Sequence, residues 1–337
     1  MDLRSAIAAL SAGRDLAEGE MEDVVRALMA GEATPAQTAA VLIALHMKGE
    51  RVDEIVGAAR AMRRFATRVP TSRDVVDTSG TGGDMGNTFN ISTAAMLIAA
   101  GAGLAVAKHG NRAMSGTVGG ADVLEALGVR IDLGPAQVAA CIAEAGVGFI
   151  FAQAFHPAMR HVAPVRRELG VRTLFNLLGP LTNPAGAQRQ LVGVFARHWV
   201  EPIATALGRL GSQRTLVVHG EDGLDELSLT GASWVAEWRD GAVHTYRFAP
   251  GDVGLSPCSL ADLAGGQAAD NAAILRAILA ARATPAQRDI ALLNAGAAIY
   301  VGGGAMTIAA GVARARAAVE SGAAARTLAA LIEVSNR

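Results

Sequence analysis

Three stretches of this chain place charged, amide and glycine residues where chemistry on an anion needs them. The first is Asp77-Thr78-Ser79-Gly80-Thr81-Gly82-Gly83-Asp84, running on through Asn87-Thr88-Phe89-Asn90-Ile91-Ser92-Thr93. Its clustered glycines free the backbone to turn N–H groups inward, and the helix start beyond adds unpaired N–H groups and a positive dipole end. Such a loop suits phosphate. It is not a Walker A loop, because no Gly-Lys-Ser/Thr follows, and it lacks the last glycine spacing of the dinucleotide fingerprint. Asp84 is the odd member, since a carboxylate repels phosphate unless a metal or a ribose hydroxyl intervenes. The hydroxyls of Thr88, Ser92 and Thr93 are suited to phosphate or to a metal. A generic glycine turn is the competing reading.

The second stretch is Lys108-His109-Gly110-Asn111-Arg112, followed by Met114-Ser115-Gly116-Thr117-Val118-Gly119-Gly120. Two cations, an imidazole and an amide directly after a strand match the position of sites in open α/β sheets. A solvated polar turn is the alternative. The third, Gly220-Glu221-Asp222-Gly223-Leu224-Asp225-Glu226-Leu227, carries four carboxylates, a hard-oxygen cluster suited to Mg²⁺, which commonly bridges protein carboxylates to phosphates. An acidic solvent-facing loop is the alternative there. Finally, Met159–Arg172 reads as a basic helical stretch with Arg160, Arg166, Arg167 and Arg172. Most such arginines are surface charges, but one facing a cleft can grip a carboxylate in a bidentate pair.

Elements must bring these stretches together. Residues 2 to about 66 read as consecutive helices with no strand-like alternation. Asp15 is a candidate cap for a helix carrying Met21, Val24, Val25 and Leu28. Thr34-Pro35 with Gln37 is a strong helix start, and Gly49 a stop, for a helix presenting Val41, Leu42, Leu45 and Met47. Asp53 is a candidate start for the next, with Ile55, Ala58, Ala59 and Met62 inward. This unit reads as a packing or dimerisation module. After a linker at Val69-Pro70-Thr71-Ser72, strand candidates at Asp74–Asp77, Leu104–Ala107, Gly148–Ala152, Leu191–Ala196 and Thr215–His219 alternate with helices. Those helices are Ile91–Ala100, Ala121–Leu127, Pro135–Glu144, Met159–Leu169 and Val200–Leu210. The alternation predicts a largely parallel, buried sheet. Trp234–Trp238 and Ala242–Phe248 around Asp240-Gly241 predict an antiparallel edge hairpin. From Asn271 onward the chain reads as Ala-rich helices. The expected fold is therefore α/β: a small all-α N-terminal domain, 1–70, joined by helices from about 160–185, plus a larger α/β domain, 71–337, with a mostly parallel central sheet flanked by helices.

Composition narrows the function. The 337 residues are 51% hydrophobic but only 4% aromatic, so the core is aliphatic. A net charge of −1 argues against a nucleic-acid or membrane-surface binder. Cys141 and Cys258 form no CxxC pattern, fit a reducing cytosol and exclude a cysteine-built zinc site. The N-terminus has no signal-peptide h-region, and the apolar run Ala94 to Ala107 is short for a span and broken by Gly101 and Gly103, so a cytoplasmic protein is expected.

Asp77–Asp84, Asn90-Ile91-Ser92-Thr93, Lys108–Arg112, Gly179-Pro180-Leu181-Thr182-Asn183-Pro184 and Gly223-Leu224-Asp225-Glu226, in this order, resemble the anthranilate phosphoribosyltransferases over most of the chain. The resemblance implies transfer of a phosphoribosyl group from phosphoribosyl pyrophosphate to anthranilate in tryptophan biosynthesis, with Mg²⁺ as cofactor, an active site near the domain hinge and a homodimer through the small domains. It implies that Gly80, Gly83, Asp84, Thr88, Asn90, Ile91, Ser92, Thr93, Lys108, His109, Gly110, Asn111, Arg112, Ser115, Gly116 and Gly120 bind phosphoribosyl pyrophosphate, with Lys108 and Asp84 acting electrostatically and no acid or base assigned. Gly80, His109, Asn111, Arg166 and Pro180 would meet anthranilate, and Ser92, Asp225 and Glu226 would hold Mg²⁺. The family commonly has hydroxyls near the end of the second loop, where this chain has Val118 and Gly120. Two rivals share the architecture: a pyrimidine nucleoside phosphorylase, against which the Asp225-Glu226 pair speaks, and a non-catalytic relative, which the altered loop would suit.

Overall fold

A computed structural model describes residues 1–83, 86–112 and 118–337. Four helices come first: α1 (Leu3–Ser11), α2 (Glu18–Ala30), α3 (Pro35–Lys48) and α4 (Val52–Phe65). Then follow β1 (Val75–Asp77), α5 (Ile91–Gly101), β2 (Ala105–Gly110), α6 (Gly120–Ala126), α7 (Pro135–Glu144) and β3 (Val147–Phe151). Short helices α8 (Ala152–Phe155), α9 (Ala163–Leu169) and α10 (Phe175–Leu178) lead to β4 (Arg189–Gly193), α11 (Val200–Arg209) and β5 (Arg214–Gly220). The hairpin β6 (Ser233–Arg239) and β7 (Ala242–Phe248) precedes α12 (Ala268–Leu279), α13 (Pro285–Val301), α14 (Ile308–Glu320) and α15 (Ala323–Ser335).

The strands form one sheet in the order β3-β2-β1-β4-β5-β6-β7. The first five are parallel; β6 and β7 run antiparallel on the edge, turned by Asp240 and Gly241, both at positive φ. The strand order reverses direction at β1, between β2 and β4, which is where an open α/β sheet leaves a crevice at the carboxyl ends of its strands. The glycine stretch leaves β1 and the lysine stretch leaves β2, so both open into that crevice. Helices cover both faces. One apolar cluster joins α5, α7, α13 and α15 to the sheet, and the other joins α1–α4 and α11 to its opposite face, taking in Ala158, Val162, Phe175 and Leu178. Among the described residues no helix is long and apolar enough to cross a membrane.

Local chemistry moved several boundaries. Thr34 caps α3 as expected, its hydroxyl accepting from Gln37 N–H at 3.2 Å, and Gly49 ends it at φ 83°. Met47 is 81% exposed and not an inner residue. Asp15 does not cap α2, which starts at Glu18; the Glu20 carboxylate takes the Ala17 N–H at 3.0 Å, and Asp15 pairs with Lys48 at 2.8 Å. Asp53 does not open α4 either. Glu54, fully buried, accepts the Arg51 and Leu16 N–H groups at 2.8 and 2.9 Å and pairs with Lys48, so the helix begins at Val52. Met159–Leu169 is two elements. A 3₁₀ turn over Pro157–His161 gives way to α9, because Pro164 has no N–H to continue a helix but suits a first turn.

Candidate active site

Four segments meet at the carboxyl ends of β1, β2, β4 and β5. Asp77, fully buried, ties the first two together and reaches a third. Its carboxylate accepts from Ser79 Oγ at 3.0 Å, from Asn183 Nδ2 at 2.8 Å and from the His109 backbone N–H at 3.2 Å. Asn183 also donates to the Ala107 carbonyl at 2.8 Å. Burial nevertheless pushes the Asp77 carboxyl above its ordinary value, opposed by Lys108 and by the Asn183 bond. The Gly179–Asn183 stretch is thereby fastened beneath the second loop.

Past Asp77 the glycine loop leans on β4. Gly193 N–H donates to Ser79 O, and Gly193 O accepts from Thr81 N–H at 2.9 Å. Gly82 N–H then donates to Asp225 Oδ2 at 2.9 Å. This contact needs glycine twice: a Cβ on Gly80 would lie 2.6 Å from Asp225 Oδ2, and one on Gly193 would collide with the Asp225 carbonyl. Beyond the loop, Asn90, Ile91, Ser92 and Thr93 occupy the cap and first turn of α5, whose leading N–H groups and dipole favour an anion. Thr93 Oγ1 is buried without a partner among the described residues, next to where a Cβ on Gly120 would sit. The Asn90 amide is engaged by protein, donating to Val118 O at 3.0 Å and accepting from Asn271 Nδ2 at 3.0 Å. Thr88 forms an antiparallel bridge with Ala264.

Lys108 is buried and donates to the Thr78 carbonyl. Burial lowers its ammonium below the ordinary value, while Asp77, Glu226 and Asp225 hold it up. Asp225 shows the mirror image: burial raises it, and the Gly82 N–H and Lys108 lower it. Lysine and acidic turn are thus coupled electrostatically.

The four carboxylates of the third stretch do not act as one cluster. Asp222 accepts from Leu224 N–H, Ser228 Oγ and Thr230 Oγ1 at 3.1, 2.5 and 2.6 Å, and Glu221 pairs with Arg247. Asp222 is spent on the turn itself and Glu221 on β7. Asp225 and Glu226 alone have Lys108 in electrostatic range. Among the described residues no three His, Cys, Asp or Glu side chains are placed to hold a metal by themselves. Two adjacent carboxylates in electrostatic range of a buried lysine fit Mg²⁺, which takes few protein ligands and completes its shell with water and phosphate oxygens.

His109 sits on the other side. Its Nδ1 lies 3.0 Å from the Gly179 carbonyl, which only accepts, so Nδ1 carries the proton. Its Nε2 is then an acceptor, 3.2 Å from His156 Nε2. Burial lowers both rings, His156 to about 3, so the pair is neutral at pH 7. Arg166, half-buried, donates to Asn176 Oδ1 at 3.3 Å and lies 5.6 Å from the Phe175 ring centroid. Pro180 is buried, and its carbonyl accepts from Gln190 Nε2 at 2.7 Å. Arg172 lies beyond α9; it stacks 4.2 Å from the Phe195 ring centroid and donates to the Gly83 carbonyl.

Asn111 Oδ1 accepts from Gln153 Nε2 at 3.2 Å. Arg112 points elsewhere: its guanidinium is exposed and paired with Asp122 at 2.8 Å and Glu125 at 2.5 Å on α6. Asp84, Ser115 and Gly116 lie outside the described residues. Sequence reasoning missed His156, Asn176, Gly193 and the anchoring roles of Asp77 and Asn183. Asn183 and Asp77 stand inside motifs already singled out. His156 carried one usable signal, its place shortly beyond the strand read at Gly148–Ala152, whereas Gly193 lay inside the strand read at Leu191–Ala196 and only the observed end of β4 places it at the site.

The chain matches the glycosyl transferase family over both parts, the helical bundle domain at residues 4–66 and the a/b domain at residues 72–325. It is 56% identical to an anthranilate phosphoribosyltransferase of Rubrobacter xylanophilus over 335 residues, 99% of this chain and 98% of that one. With the Moorella thermoacetica enzyme of the same name it shares 55% identity, covering 98% of this chain and 97% of the relative. The crystal structure of anthranilate phosphoribosyltransferase from Thermus thermophilus superposes with a TM-score of 0.94 at 48% identity, over 98% of this chain and 99% of that one. The Saccharomyces cerevisiae enzyme in complex with PRPP and Mg superposes at 0.88 with 26% identity, over 99% and 98%.

Proposed function

This chain belongs to the family of anthranilate phosphoribosyltransferases, and from that premise we propose that it transfers the phosphoribosyl group of phosphoribosyl pyrophosphate to the amine of anthranilate, releasing pyrophosphate, in tryptophan biosynthesis. The observation that carries this reading is the meeting of glycine loop and acidic turn, with Gly82 N–H on Asp225 at 2.9 Å and Lys108 in range of both carboxylates. That arrangement offers donors for phosphate and carboxylates for a cation within one crevice.

In the reaction the ribose C1–O bond to pyrophosphate breaks and a C1–N bond forms, with the proton of the attacking amine passing to solvent. Positive charge develops at C1 and negative charge on the leaving pyrophosphate. The first turn of α5 and Lys108 are set to meet that negative charge, which makes electrostatic preorganisation the largest contribution. Asp225, Glu226 and Ser92 would hold Mg²⁺, which when bound neutralises phosphate charge and eases departure of pyrophosphate. Gly80, Asn111, His109, Pro180 and Arg166 line the anthranilate side, where Arg166 is suited to the carboxylate. No general base is needed, because an aromatic amine is neutral at pH 7. His109 is a poor base in any case, with its Nε2 lone pair already directed at His156. The reading includes a cytoplasmic homodimer through the small helical domains. The yeast structure with 4-fluoroanthranilate supports the choice of acceptor.

The test is the loss of anthranilate fluorescence with and without phosphoribosyl pyrophosphate and Mg²⁺. Loss that requires both is expected. Release of a pyrimidine from a nucleoside plus phosphate would move the chain to the nucleoside phosphorylases, and no reaction at all would make it a non-catalytic relative.

A further inference from the structure

Asp225 and Glu226 lie between two backbone anchors. On one side Leu224 O accepts from Gly220 N–H at 2.8 Å and Leu224 N–H donates to Asp222. On the other, Leu227 is gripped by a residue far away in sequence. Asn294, fully buried within α13, donates from Nδ2 to Leu227 O at 2.9 Å, and its Oδ1 accepts from Leu227 N–H at 3.0 Å. The second Nδ2 hydrogen goes to Ile290 O at 3.0 Å. Asn294 is the polar residue in a buried run, Ile290–Val301, otherwise made of Ala, Leu, Ile, Gly, Val and Tyr. A buried amide is costly unless every donor and acceptor is matched, and here all three are.

We propose that Asn294, through its paired hydrogen bonds to the Leu227 backbone, is the positioning residue that sets the Asp225–Glu226 turn for Mg²⁺ carrying pyrophosphate oxygens. The assignment rests on the function proposed above. A carboxylate pair on a turn works only if the turn is held to within about 0.5 Å, and side-chain rigidity cannot supply that without a fixed backbone. α13 supplies it, packed against α5 and α14. Asn294 touches no reacting group; it acts through Leu227.

The test uses the full chain as Asn294→Ala, with Leu293→Ala as a core cavity in the same helix that leaves the clamp intact. In the free protein, amide exchange at Leu227 should quicken at least tenfold in Asn294→Ala and stay unchanged in Leu293→Ala. Under assay, Asn294→Ala should raise the half-saturating Mg²⁺ concentration about tenfold while the anthranilate KM moves less than twofold. An unchanged Mg²⁺ requirement, an equal rise in Leu293→Ala, or a parallel rise in the anthranilate KM would overturn the proposal. If Asn294→Ala does not fold, Asn294→Asp decides. A buried Asp is neutral at low pH, when its O–H can donate to Leu227 O, and charged at high pH, when it cannot. Its Mg²⁺ requirement should match wild type at pH 6 and exceed it at pH 8.5; a constant ratio overturns the idea. A wild type that never consumes anthranilate would instead defeat the proposed function.

Discussion

Asp77 at the end of β1 and Asp225 in the β5–β6 turn both face Lys108, and burial raises both carboxyls. Their surroundings differ. Asp77 takes donors from Ser79, His109 and Asn183, three segments that must converge for the crevice to exist. Asp225 accepts the Gly82 N–H and is held down besides by the Lys108 charge. A carboxylate whose oxygens are saturated by the fold is scaffold; one left short of donors is held ready for a ligand. Burial and charge alone do not separate the two.

The comparison is sharpest where each carboxylate is removed. Asp77→Ala leaves the Asn183 amide, the His109 N–H and the Ser79 hydroxyl without their acceptor inside the protein, a loss of about 3 kcal/mol or more. Denaturant unfolding should report it; a change under 1 kcal/mol would mean the hub is dispensable. Asp225→Asn with Glu226→Gln should leave folding intact and lower Mg²⁺-dependent turnover about a hundredfold, or ~2.7 kcal/mol in the barrier. Unchanged kcat and Mg²⁺ response would sink the metal assignment.

A third outcome separates the pair in the opposite direction. A carboxyl raised above its unfolded value binds more protons in the native state, so stability falls as pH rises from about 4. Asp225→Asn removes that loss and should raise the melting temperature of the free protein at pH 7, with a smaller gain at pH 4. Asp77→Asn should destabilise, because its NH₂ would face donors. If both variants shift the melting temperature the same way, the distinction between scaffold and site fails. The smallest effect belongs to Arg112, whose exposed pairs on α6 are worth about 0–1 kcal/mol. Arg112→Ala should change the phosphoribosyl pyrophosphate KM less than threefold; a larger rise would show that the guanidinium leaves Asp122 and Glu125 to meet substrate.

Much of this was legible in the residues. Glycine spacing, the capping box at Thr34, the Asp240-Gly241 turn and the alternation of apolar runs with helices are local signals, each set by backbone sterics or by a contact three or four residues away. They located β1, β2, β5, the hairpin and the loops that follow the strands. The same locality explains the errors: Asp15 and Asp53 have the right type for caps, but Glu20 and Glu54 reach back to do the work. In the acidic turn, four carboxylates in six positions are equal as letters. Only the fold turns Asp222 onto Ser228 and Thr230 and hands Glu221 to Arg247.

What the sequence determined by itself was the kind of chemistry, since residue types and short spacings decide which loops can bind an anion and which can hold a hard cation. What the tertiary structure alone decided was which of those residues remain available. Asp77 and Asn90 are consumed by partners more than 100 residues away, Asn183 and Asn271. His109 is given its tautomer by Gly179 and His156, and the Asp225–Glu226 turn is set by Asn294 on a helix that no motif pointed to. The reason is physical: a polar side chain's role depends on whether its hydrogen bonds are already made, and those partners are brought together by packing rather than by spacing.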